Sequence, residues 1–197
     1  MTPSGAKIND GSGRLSVSWR VKKTIVMVGM MWAGKTPVGT QLARRLSVPF
    51  VDSDEEIVKA ANRSIAEIVE RDGEAFFRRK EAQVIGRLLK GRPGVLSTGG
   101  GAFLQDENRF AITSEGVSVW LKADLPLLWS RVRHRNTRPL LRTDDPHATL
   151  AALFKARKPL YTQADLAVEA GPETSVEEMA AKVIEALLTR PDVLERG

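Results

Sequence analysis

Residues 24–36 read TIVMVGMMWAGKT: an apolar, β-branched run, then Gly29, four free positions, Gly34, Lys35 and Thr36. This is the spacing of a phosphate-binding loop, a device that works only where a strand feeds directly into a helix. The residues on either side meet that demand, which leaves few folds open. Consecutive backbone N–H groups and the helix N-terminus stabilise anionic oxygens there, Lys35 supplies charge to the outer phosphates, and Thr36 offers a hydroxyl to magnesium. Gly29, Met30, Met31, Trp32, Ala33, Gly34, Lys35 and Thr36 are therefore read as nucleotide-binding. Pro37 does not count against the helix, because an N–H in the first turn has no intrahelical partner to lose.

The rest of the chain repeats the alternation. Strand-like runs recur at TIVMVG, VPFVDSD, GVLSTGGG, GVSVWLKA and LAVEA, and helices are expected between them at 35–46, 64–71, 74–90, 124–135, 147–163 and 175–189. Ser64 with Glu67 and Ser175 with Glu178 match capping boxes. Five strands alternating with helices imply an α/β fold: a mainly parallel five-stranded sheet covered on both faces, in three layers. One domain is expected over 22–190, with a disordered tail at 1–21, a mobile lid segment near 134–146 and a short C-terminal tail at 191–197.

Composition narrows the function classes. The 197 residues contain no cysteine, so disulfides and thiolate chemistry are excluded, in keeping with a reducing compartment. No apolar run approaches the roughly 18 residues of a membrane span, and the polar N-terminal segment lacks a secretory apolar core. A soluble, cytoplasmic, monomeric protein with no membrane partner is the expectation. The net charge of +6 suits nucleic acid or small anions alike. Its basic residues gather in FFRRKE, WSRVRHRNTRPLLR and FKARKP, interleaved with apolar positions. That pattern fits clusters around a pocket and no nucleic-acid partner.

Magnesium at such a loop needs a second, acidic contact from a neighbouring strand end, and Asp52 stands there. Asp54 is two residues on; along an extended backbone both carboxylates face one cleft. Asp54 or Ser53 also suits the N-cap of the segment beginning EEIVKAA. Three further stretches ask for more than packing: GEAFFRRKE, STGGG and ARKPLY.

With GMMWAGKTPVG, FVDSD, GEAFFRRKE, TGGGA, RPLL and RKPLY in order over about 22–190, the chain resembles the shikimate kinase family. The resemblance implies a P-loop fold of the nucleoside-monophosphate-kinase type and transfer of the γ-phosphoryl group of ATP to the 3-hydroxyl of shikimate, in aromatic amino-acid biosynthesis. It implies that Asp54, Arg78, Gly99, Gly100, Gly101 and Arg157 bind shikimate and that Thr36 and Asp52 serve magnesium. Arg131 is implied to stack on adenine, and Arg138 to be the lid arginine that meets the transferred group. Lys35, Asp54 and Arg138 are then the catalytic residues, with ATP and shikimate as partners and Mg2+ as cofactor.

Physical chemistry supports this division. Two planar guanidinium groups hold a carboxylate bidentately, and Glu81 shares a helix face with Arg78 and is placed to orient it. Glycines let substrate and backbone approach closely. Trp120 and Trp129 read as core residues, and His134 and His147 as exposed residues without metal partners. The family usually has glycine at the position of Trp32; the expectation is that this tryptophan avoids glycine-like φ and points outward, toward the lid or solvent, leaving the phosphate cradle intact. Another small-molecule kinase, for gluconate or a nucleotide, and a degenerate nucleotide-binding module are the competing readings.

Overall fold

The computed structural model describes residues 17–135 and 141–197. The chain runs β1 (Trp19–Val21), β2 (Thr24–Val28), α1 (Lys35–Leu46), β3 (Phe50–Asp52), α2 (Ser53–Ala61), α3 (Ile65–Asp72), α4 (Glu74–Leu89) and β4 (Val95–Ser97). A 3-10 turn at Ala102–Leu104 leads to α5 (Asp106–Glu115), β5 (Gly116–Lys122), α6 (Leu125–Val132), α7 (Pro146–Tyr161), β6 (Leu166–Glu169), α8 (Val176–Leu187) and β7 (Leu194–Arg196).

The five expected strands form one parallel sheet in the order β3-β4-β2-β5-β6. Every residue of β2 and all but the last of β5 are buried, so helices cover both faces and the strands read as continuous apolar runs instead of alternating ones. In the central register Ile25 lies between Val95 and Val117. The chain builds β3 and β4 on one side of β2 and β5 and β6 on the other. A crevice therefore opens at the carboxyl end of β2, where such sheets bind ligands. Gly39 lets α1 come close to the sheet: a Cβ there would fall 2.9 Å from the Phe50 ring.

Both capping boxes are present, with Ser64 and Ser175 accepting from the N–H groups of Glu67 and Glu178. α1 spans 35–46, as the sequence predicts. α5 has no counterpart among the expected helices, since DENRFAITSE is poor in helix formers and has no side-chain cap. Packing against α4 and β5 holds it, together with a local bond from buried Asn108 to the Ala102 carbonyl at 2.9 Å. Residues 19–21 and 194–196, expected within the terminal tails, instead pair antiparallel as β1 and β7. Lys22 reaches Glu195 at 2.6 Å, and Arg190 and Lys23 bond Asp192, holding its carboxyl well below the usual carboxylate range. Three-residue strands paired across the whole chain leave no local pattern to read. No helix among the described residues is long and apolar enough to cross a membrane.

Candidate active site

The phosphate loop closes between two glycines with positive φ. Gly29 has φ 143° and passes so close to β5 that a Cβ would lie 3.0 Å from the Leu121 carbonyl; Gly34, φ 99°, is the N-cap of α1. That N-terminus has no side-chain cap and no acidic residue in its first turn, so its N–H groups suit an anion. Lys35 Nζ donates to the carbonyls of Gly29 at 2.7 Å and Met30 at 2.9 Å, which draws its ammonium back over the loop. The side chain of Met30 is core; Met31, Trp32, Ala33, Gly34, Lys35 and Thr36 line a cavity of about 600 Å3, and Gly29 and Met30 do not.

Trp32 departs from expectation. Its φ is 65°, in the left-handed region, where a bulky residue costs about 1–2 kcal/mol. Its side chain lies, as expected, toward the lid side, against Arg135. It lines the cavity, half-buried against the core, with the Arg135 guanidinium over its ring at 4.8 Å. Packing and the cation–π contact are the compensations on view.

Asp52 ends β3 and, in place of the expected Asp54 or Ser53, is itself the N-cap of α2. Its Oδ1 accepts from the N–H groups of Asp54 at 2.9 Å and Glu55 at 3.2 Å, while Oδ2 lies 3.5 Å from Thr36 Oγ1. Asp54 consequently sits in the first helical turn and not on extended backbone. Both carboxylates still line the one cavity, because the strand-to-helix bend lies between them.

The three glycines after β4 face three charged side chains in turn. A Cβ on Gly99 would stand 2.8 Å from Asp54 Oδ1, one on Gly100 3.6 Å from Arg157 Nη1, and one on Gly101 would collide with the Arg78 guanidinium. The glycine run thus makes room for the protein's own ionic groups. Arg78 Nη1 donates to Glu81 Oε1 at 2.8 Å, with Glu74 at 3.6 Å from Nη2, so Glu81 does orient it. Only 1 % of the Glu81 side chain is exposed; burial pushes its carboxyl up and the Arg78 hydrogen bond pulls it down. Arg78 Nε is buried and has no hydrogen-bond acceptor among the described residues.

With this geometry in view, comparisons with known proteins are specific. A family model described as Shikimate kinase matches residues 31–188. The chain belongs to the shikimate kinase family. It is 67% identical over 187 residues to a shikimate kinase of Cereibacter sphaeroides, covering 95% of this chain and 93% of that one. A Ruegeria pomeroyi shikimate kinase is 68% identical over 173 residues, covering 88% and 89%. Among solved structures, shikimate kinase from Acinetobacter baumannii in complex with shikimate is similar with a TM-score of 0.79 at 36% identity, covering 86% of this chain and 94% of that one. The protein is an ATP-dependent small-molecule kinase with the P-loop fold of this family.

Other parts of this shikimate kinase site are less legible in the sequence. Arg131 donates from Nη1 to the Trp32 carbonyl at 2.8 Å, and burial lowers its pKa; its guanidinium therefore lies at the phosphate loop. Arg138 lies outside the described residues. Trp120 is core, and Trp129 is half-buried, meeting exposed His147 edge-on. Thr174, Val176 and Met179 line the same cavity as the phosphate loop and carry no recognisable pattern.

Tyr161 is a further residue that sequence reasoning misses, although it stands in RKPLY one helical turn after Arg157. Fully buried, and stacked near Phe103 and Trp120, it donates to the Gly100 carbonyl at 2.8 Å; Arg157 Nη1 lies 3.5 Å from the same oxygen. Burial pushes the Tyr161 hydroxyl up to about 12, so it remains a donor throughout the physiological range. Tyr161→Phe leaves that carbonyl only the longer Arg157 contact and is expected to cost roughly 1 kcal/mol of stability in denaturant unfolding.

Proposed function

We propose that the chain divides shikimate phosphorylation between two walls of this crevice. The phosphate loop, Lys35 and Arg131 hold ATP, and Val176 and Met179 give its base an apolar wall. Asp54, Arg78, Arg157 and the glycines Gly99 to Gly101 hold shikimate. The observation that carries this reading is the juxtaposition at the glycine run, where one carboxylate and two guanidinium groups converge on three consecutive residues without side chains.

Shikimate brings one carboxylate and several hydroxyls. Arg78, set by Glu81, and Arg157, beside the Gly100 carbonyl, suit the carboxylate through paired N–H donors. Asp54 is then the group that orients the 3-hydroxyl and takes its proton as the γ-phosphoryl group of ATP transfers. Lys35 neutralises charge on the outer phosphates, and Arg138, outside the described residues, offsets charge on the transferred group. Positioning and charge stabilisation account for most of the rate in this chemistry.

A magnesium ion fits the donors at hand. Thr36 and Asp52 offer hard oxygens 3.5 Å apart, and magnesium is held by few protein ligands together with water and phosphate oxygens. Bound there, it would neutralise phosphate charge. Dependence on ATP supports a cytoplasmic setting.

The test is ADP release by purified protein offered shikimate, gluconate or a nucleoside monophosphate; absence of shikimate-dependent release overturns the proposal. Within it, Arg157→Ala is expected to raise the KM for shikimate roughly tenfold or more while leaving that for ATP within about twofold. Equal losses for both substrates would contradict the assignment.

A further inference from the structure

Arg135 has no part in the division of roles between the two walls. Its guanidinium rests over the Trp32 ring at 4.8 Å, and it lines the same cavity as Gly34, Lys35 and Thr36. It makes no side-chain hydrogen bond or ion pair among the described residues. A guanidinium held over an aromatic ring by a cation–π contact, and bonded to no other described residue, keeps N–H donors that take phosphate oxygens in pairs. The ring also removes much of the freedom that a long exposed side chain would otherwise lose on binding.

Trp32 serves two arginines at once. Its carbonyl accepts from Arg131 at 2.8 Å and its ring carries Arg135. Such a ring, at a strained left-handed residue inside the phosphate loop, ties the loop to the stretch that follows α6. We propose that Arg135 is a further polyphosphate-binding residue of the nucleotide site, and that Trp32 is the positioning residue that holds it there. This rests on the proposed placement of ATP in the same cavity.

The parent, Arg135→Ala, Trp32→Gly and the double variant are compared by calorimetry with ATP and with AMP, and by steady-state assay with shikimate varied. Arg135→Ala is expected to weaken ATP roughly three- to tenfold and AMP, which lacks the outer phosphates, no more than about twofold. Trp32→Gly adopts the observed φ without strain and is expected to weaken ATP about two- to fivefold. The double variant should be no weaker than Arg135→Ala alone, since the ring acts through the guanidinium, and the KM for shikimate should stay at the parent value in all three. Unchanged ATP affinity in Arg135→Ala, equal losses for ATP and AMP, or losses that multiply in the double variant would each overturn the proposal. A parent that binds no ATP would overturn the nucleotide assignment and this inference with it.

Discussion

Asp54→Asn is expected to lower kcat by about 10²- to 10⁴-fold while shifting the KM for shikimate only a few-fold. The amide keeps the volume of the carboxylate, and Asp54 contributes only its backbone N–H to the cap made by Asp52, so the start of α2 should survive. The lost group is the proposed proton acceptor, held against Gly99 with no room for a Cβ between. Losing its charge also relieves buried Glu81, whose carboxyl the Asp54 charge helps push up, so the scaffold around Arg78 should not suffer. Steady-state kinetics with a thermal melt as control makes the measurement. A kcat within a few-fold of the parent would remove Asp54 from the acceptor role.

Gly101→Ala is expected to raise the KM for shikimate roughly 10- to 100-fold with little change in the KM for ATP, and to lower the melting temperature, because displacing Arg78 weakens its bond to buried Glu81. Gly101 has φ −102° and ψ −6°, a conformation open to any residue, so alanine brings no backbone penalty there. Its methyl would instead occupy the place of the Arg78 guanidinium. The far end of an arginine moves away at small steric cost, and the damage then appears as a misplaced ligand for the substrate carboxylate. Gly100→Ala is the internal control, because its Cβ would make only an ordinary 3.6 Å contact with Arg157. Were Gly100→Ala as harmful as Gly101→Ala, a general need for bare backbone at this turn, and not displacement of Arg78, would be the cause.

Much of the architecture is legible locally. The β2–loop–α1 unit and both capping boxes rest on interactions within a few residues, and the five strands, though they pair over long range, are marked by local apolar runs; the structure contains each of them. α5 fails that test because DENRFAITSE has weak intrinsic preference, and its helix depends on packing against α4 and β5. The glycine run signals close approach but not what approaches. Gly99 and Gly101 make room for Asp54 and Arg78. Trp32 misleads because its side chain suggests avoidance of positive φ, whereas the loop geometry between Met31 and Ala33 imposes it.

What the amino-acid order determined alone was the phosphate loop, the sheet that carries it and the residue types available for an anionic acceptor, since each follows from spacing along the chain. The tertiary structure decided which of Asp54, Arg78 and Arg157 meets which glycine, that Tyr161 joins Arg157 at the Gly100 carbonyl, and that Trp32 carries Arg135. Those partners come from α2, α4, α7 and the end of α6, segments separated by tens of residues, and only the packing of helices around the sheet sets distances between them.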